Sequence, residues 1–399
     1  MNELLKHLQP YPFERLAALK KGISVTDKTA IALSIGEPKH APPVFVLKKL
    51  ADNLNRISYY PKTAGSDALR EVIARWLEQR FRLPQDSIDA SLNVLPLNGT
   101  REGIFSFVQA AVNANERAKV IMPNPFYQIY EGATLLAGAT PHFINCNSEN
   151  SYLPDFGSVD EQAWRDCQLL ILCSPGNPTG AVIPSDTLQQ LIRLADKYDF
   201  IIASDECYSE IYFDEQQPPT GLLQACAEMN RNDYRRCVVF HSLSKRSNLP
   251  GLRSGFIAGD RDIIQPFLQY RTYHGCAMSE PVQIASTLAW QDEQHVIENR
   301  KVYTGKFRQF LETLDGCLDV SMPDAAFYLW PQLPDDDETF CKKLFAEQHI
   351  TLLPGSYLSR EAQGINPGNR HARMALVATE SECLEAAKRI RAFVQHHYK

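Results

Sequence analysis

Between residues 93 and 258, short runs that are almost wholly apolar alternate with stretches of helical periodicity, and this alternation limits the possible folds more than any other feature. The runs are 93–97, 119–122, 169–173, 200–203, 237–240 and 256–258. A strand with one wet face alternates apolar and polar residues, whereas one that is apolar throughout is covered on both sides. Between the runs, Leu188, Leu191, Ile192 and Ala195 keep helical spacing after Ser185, a residue type suited to a helix N-cap. Leu69, Val72, Ile73, Trp76 and Leu77 mark the apolar face of an earlier helix. The pattern predicts an α/β fold with a largely parallel sheet between helices. Ligands of such sheets sit at the carboxyl ends of the strands, so the residues just after each run are the ones to read.

After the first run comes Asn98-Gly99-Thr100-Arg101-Glu102-Gly103, a turn into the helical pattern of Ile104, Phe107, Val108 and Ala111. Free N–H groups and a threonine hydroxyl at the positive end of a helix bind an anion, or merely cap the helix. The spacing is neither the dinucleotide fingerprint nor the Walker pattern. After the second run stands Pro125-Phe126-Tyr127, whose rings either pack on the core or stack on a flat ligand. The third is followed by Asn177 ahead of a proline and the fourth by Asp205-Glu206-Cys207-Tyr208. The fifth leads into Ser242-Leu-Ser244-Lys245, with Arg253 eight residues on, in a small-polar segment read as a loop. Gly36, ending the run 31–35, presents a bare backbone where a ligand comes close. Tyr60, in the loop 59–65, is a packing plug or a ligand contact.

Taken together these residues match the needs of pyridoxal phosphate, which requires an amine for its aldehyde, a carboxylate at its ring nitrogen, donors to its phenolic oxygen, a stacking ring and a phosphate site. Lys245 supplies the amine, and burial beside another cation favours its neutral, reactive form. Asp205 would hold the ring nitrogen protonated. Asn177 and Tyr208 would share the phenolic oxygen, and Tyr127 would stack. Gly99, Thr100, Arg101, Ser242, Ser244 and Arg253 would take the phosphate.

The ordered set of Tyr60 with Gly65, Asn98-Gly-Thr100, Pro125-Phe-Tyr127, Asn177-Pro-Thr-Gly180, Asp205-Glu-Cys-Tyr208, Ser242-Leu-Ser-Lys245 and Arg253 resembles the fold-type I, class I/II aminotransferases over nearly the whole chain. The resemblance implies a mostly parallel seven-stranded sheet in a large domain at 46–275. It also implies a smaller α+β domain from 1–45 and 276–399, closed by a helix that opens on the capping box Thr379-x-x-Glu382. It implies a homodimer in which Tyr60 reaches the neighbouring subunit's phosphate. Arg373 would bind the substrate α-carboxylate with help from the Gly36 N–H, and the Asn177–Pro178 peptide would be cis.

At finer grain the segments 10–13, 35–40, 124–136, 201–214, 242–255 and 270–275 resemble the bacterial succinyldiaminopimelate aminotransferases. That likeness implies exchange of an amino group between glutamate and 2-oxoglutarate on one side and N-succinyl-LL-2,6-diaminopimelate on the other, a step of lysine synthesis. Arg101, in the phosphate turn, would instead face a substrate carboxylate if the phosphate is held without it. Lys39, His40, Arg271, His274 and Arg370 are further candidate cations for an acidic substrate. Aspartate, N-acetylornithine or aromatic/alanine specificities, and a carbon–sulfur lyase on the same fold, are the competing readings.

The 399 residues suit two domains of unequal size. A formal charge of -6 with no basic tract argues against nucleic acid. The N-terminus carries no signal pattern and no segment reaches the length of a membrane span, so the expected location is the cytoplasm. Ten scattered cysteines without a Cys-x-x-Cys pair read as small buried hydrophobes, with neither a disulfide frame nor a metal site.

Overall fold

The computed structural model describes residues 1–399. Its twelve strands are β1 (Ile31–Ala32), β2 (Val94–Leu97), β3 (Lys119–Asn124), β4 (Thr140–Asn145), β5 (Cys167–Cys173), β6 (Ile201–Asp205), β7 (Cys237–Ser242), β8 (Gly255–Gly259), β9 (Tyr328–Leu329), β10 (Ile350–Thr351), β11 (Leu353–Pro354) and β12 (Ala372–Ala375). Seven of them form one sheet in the order β2-β8-β7-β6-β5-β3-β4. Only β8 runs against its neighbours. Each all-apolar run of the sequence is one of these strands. The strand that went unread, β4, lies at the sheet edge, where a polar and half-exposed face replaces the apolar signal.

Successive residues of each strand enter opposite faces, so the sheet builds two cores at once. Ile121, Leu170, Leu172, Ile202, Val239 and Phe256 pack under the helices Asp67–Arg80, Ser185–Tyr198 and Glu280–Gln291. Val120, Met122, Leu169, Ile171, Val238 and Phe240 pack on the other side, against Thr100–Ala111 and Arg261–His274. Burying each such side chain contributes about 1.5–3 kcal/mol. A third core joins the helices Gln294–Leu314 and Glu380–Tyr398 to β9, β12 and Ile31 and Leu33 of the N-terminal segment. There β11-β12-β9 form an antiparallel sheet, and β1 pairs with β10.

Two local expectations need correction. A boundary at 276 assigns helix Glu280–Gln291 to the C-terminal unit, yet its Ala285, Ala289 and Trp290 lie in the core of the large sheet. Ser185 is the first helical residue and Pro184 occupies the cap. Its hydroxyl turns outward to Glu228 and leaves the helix's own amides alone. Pro12 starts the helix Pro12–Lys20, since a first-turn proline has no intrahelical N–H to lose. The capping box at Thr379 and Glu382 forms as read. All ten cysteines are free and seven are buried. No helix is long and apolar enough to cross a membrane.

Candidate active site

Parallel strands that end level bring their following loops to one edge. Cys173, Asp205 and Phe240 are register partners on β5, β6 and β7, and Ser242 and Leu97 both face Gly255. Above this edge is a cavity of about 390 Å³. Lining it are Gly36, Thr100, Arg101, Tyr127, Asn177, Asp205, Tyr208, Ser242, Ser244, Lys245, Arg253 and Arg373, gathered from nearly the full length of the chain. Gly99 lies just beneath it. Tyr60 is outside, its ring fully exposed.

Lys245 stands on a single helical turn, Leu243–Arg246, in place of the loop read from its polar neighbours. The turn is capped by the Ser242 hydroxyl, which accepts from the Ser244 N–H at 3.1 Å. The Lys245 amine donates to the Gly36 carbonyl at 2.6 Å, so Gly36 offers its C=O to the lysine. Burial draws the amine's pKa down to about 8; the Cys207 thiol opposes this and the Arg373 guanidinium adds to it.

Asp205 ends β6 almost fully buried. Its carboxylate accepts from the Tyr130 hydroxyl at 2.7 Å and the Cys207 N–H at 3.2 Å. Burial raises its pKa, with those two donors working against the rise. A buried carboxylate without a cation is a place for a positive charge to settle.

Arg373, on β12, donates to Asn177 Oδ1 at 3.0 Å and to the Ser34 carbonyl at 2.8 Å, and its Nε is buried without a partner. The Asn177–Pro178 peptide is cis. Tyr127 meets Tyr130 edge-on at 5.7 Å and lines the cavity. Gly99 holds φ +80° ahead of helix Thr100–Ala111, a left-handed value that disfavours a side chain. A Cβ there would also collide with the guanidinium of Arg253, which crosses directly over it.

The donor set fits a flat aldehyde-bearing ring with a phosphate tail. The lining supplies an amine, a buried carboxylate, the Thr100, Ser242 and Ser244 hydroxyls and the Arg253 guanidinium. The family model for aminotransferase class I and II matches residues 28–390. The chain belongs to the class I and II aminotransferases. The family depends on pyridoxal phosphate, and this aminotransferase is a transaminase of amino and 2-oxo acids. LL-diaminopimelate aminotransferases of Syntrophobacter fumaroxidans and Aquifex aeolicus are each 30% identical to it, covering 98% of this chain and 97% and 98% of theirs. A solved aminotransferase of Neisseria meningitidis is 48% identical with a TM-score of 0.94, covering 98% of this chain and 100% of that one. One from Helicobacter pylori is 34% identical with a TM-score of 0.90 over the same shares.

Of the further cations read from the sequence, the aminotransferase leaves few free. Arg271 is buried and clamps Glu102 through both terminal nitrogens, at 2.8 and 2.9 Å. His40 bonds Asn299 at 2.7 Å, outside the cavity lining. Lys39, His274 and Arg370 also lie outside that lining. Arg101 alone enters it, its guanidinium 5.5 Å from the Tyr11 ring. Reading the sequence missed Tyr11, Tyr130 and Tyr328. The last two sit in apolar stretches whose periodicity reads as core, and no local signal separates them from it.

Proposed function

We propose that this aminotransferase moves an amino group between glutamate and a diaminopimelate-type acceptor, with N-succinyl-LL-2,6-diaminopimelate as the partner amino acid. One observation carries the reading. The cavity is lined by four cations, Arg101, Lys245, Arg253 and Arg373, against the single carboxylate of Asp205. Arg253 and the hydroxyls hold the cofactor phosphate, and Arg373 grips the α-carboxylate with two prongs. Arg101 is then left for a second carboxylate, which glutamate and the succinylated substrate both possess. The likeness of the segments 124–136 and 242–255 to succinyldiaminopimelate aminotransferases supports the acceptor. The names of the relatives favour a second reading, LL-diaminopimelate itself.

Bound pyridoxal phosphate supplies an aldehyde to receive the amino group and a ring that accepts the electron pair left by the α-proton. Lys245 anchors the group and, once freed, carries the proton away from the substrate α-carbon as a neutral amine. Asp205 keeps a positive charge on the ring nitrogen. Tyr208 and Asn177 donate to the phenolic oxygen, and Tyr127 covers one ring face.

The test is glutamate formation from 2-oxoglutarate with N-succinyl-LL-diaminopimelate, LL-diaminopimelate, N-acetylornithine or aspartate as separate donors. The succinylated donor is expected to give the highest kcat/KM. Preference for free LL-diaminopimelate would install the second reading, and product release without any 2-oxo acid would mean a lyase. In the same assay Arg101→Ala should raise KM for 2-oxoglutarate about 10-fold or more, the scale of one charge-assisted hydrogen bond, and leave KM for pyruvate unchanged.

The enzyme in this reading is a homodimer. Val44, Leu47, Leu54, Ile57, Tyr59 and Tyr60 expose large apolar groups within a short span, far more than scattered surface residues do. A second copy covering this face would bring Tyr60 to the partner's phosphate site. A monomer in sedimentation velocity at assay concentration would rule this out.

A further inference from the structure

Tyr328 is buried to 2% on β9. Its hydroxyl lies 2.8 Å from that of Tyr208, which comes from the loop after β6, and it has no other hydrogen-bond partner. The guanidinium of Arg373 rests over its ring at 4.6 Å from the centroid. Gly36 passes so close that any Cβ at that position would overlap the Tyr328 hydroxyl. One phenol therefore touches the residue that takes the cofactor oxygen, the residue that takes the substrate carboxylate, and the backbone that receives the Lys245 amine.

Each phenol owns a single proton. Burial pushes both pKa values upward, so both hydroxyls stay neutral at physiological pH. Within such a pair one oxygen donates to the other, and only the acceptor keeps its proton for a third group. Of the two phenols, only the one that still has a proton to give can serve an anionic phenolic oxygen in the cavity. The other titratable groups facing the pair are Tyr11, Cys173 and Tyr303, the last two with pKa values raised by burial, and the Arg373 guanidinium is the charged group that lies over the Tyr328 ring.

We propose that Tyr328 is a positioning residue that donates its proton to Tyr208 and thereby aims the Tyr208 proton at the phenolic oxygen of the cofactor. The inference rests on the assignment of Tyr208 to that oxygen. A hydroxyl that accepts one hydrogen bond is a stronger donor in the next, so the pair outperforms Tyr208 alone. Tyr208 follows a strand of the large sheet, yet it packs with Tyr328 in the core of the smaller antiparallel one, so the contact fixes a residue of the large sheet's edge against the small sheet. The ring that orients Tyr208 carries Arg373 as well, so the carboxylate grip and the phenol share one support.

The experiment compares wild type, Tyr208→Phe, Tyr328→Phe and the double variant, each loaded with pyridoxal phosphate. It reads the pH midpoint of the cofactor's visible absorbance change and the affinity for the cofactor. A donor to the phenolic oxygen favours the deprotonated form, so losing it raises the midpoint. Tyr208→Phe is expected to raise it most. Tyr328→Phe should raise it by about 0.4–1 pH unit, the worth of one neutral hydrogen bond. The double variant should match Tyr208→Phe, because the second hydroxyl acts only through the first. In Tyr328→Phe the ring under Arg373 remains, so KM for the amino donor should stay within about two-fold while kcat falls. A wild-type midpoint in Tyr328→Phe alongside a shifted Tyr208→Phe, or shifts that add in the double variant, would overturn the inference. An unshifted Tyr208→Phe would instead remove the assignment of Tyr208 on which it stands.

Discussion

Replacing Lys245 with alanine is expected to lower turnover about 10⁴-fold, the upper range of what a positioned proton carrier contributes, while the protein keeps its fold. The amine has one hydrogen bond, to the Gly36 carbonyl, and alanine suits the helical turn it occupies. The structural loss is therefore confined to about 1 kcal/mol. With its pKa near 8, the wild-type amine gains its neutral form as pH rises toward that value. Cofactor capture by the stripped enzyme should therefore speed up through pH 7 and level off above about 8, because only the neutral amine attacks an aldehyde. The variant should show neither the capture nor its pH profile, and borohydride should fix no cofactor at position 245. Turnover near the wild-type rate with an unchanged circular dichroism spectrum would mean that another group carries the proton.

Asp205→Asn should cost about 10²- to 10³-fold in kcat, or about 3–4 kcal/mol, the range seen when one preorganised electrostatic contact is removed. The substitution preserves shape and leaves an oxygen for the Tyr130 hydroxyl, now 2.7 Å away. What disappears is the negative charge. A carboxylate held in a nearly water-free place, with its pKa raised by burial, gains most from a positive partner. An amide there leaves a ring nitrogen unprotonated and a weak sink for electrons. Stopped-flow measurement of the proton-removal step would detect the loss directly, and an unchanged rate would mean that the ring nitrogen is served by another residue.

Much of this site was legible because its residues sit where local chemistry already pointed. Asp205, Ser242 and Lys245 follow apolar strands, and parallel strands expose their carboxyl ends together. Gly99 announces a turn that no other residue makes comfortably. The strand Thr140–Asn145 escaped because an edge strand needs no continuous apolar run. Helix Glu280–Gln291 was assigned to the wrong unit because an apolar helical face does not say which core it enters. Tyr130 and Tyr328 escaped for a related reason: a buried phenol looks like core until its hydroxyl's partner is known.

By itself the sequence determined the sheet, its strand ends and the groups displayed there, because periodicity of two or 3.6 residues and turn chemistry are properties of neighbouring residues. Only the tertiary structure decided which of those groups are free to act. Arg101 and Arg271 are the same residue type on candidate loops, yet Arg271 is neutralised by Glu102, 169 positions away, while Arg101 opens on the cavity. An ion pair closes when two side chains come within a few ångströms, and that distance is set by how whole helices pack.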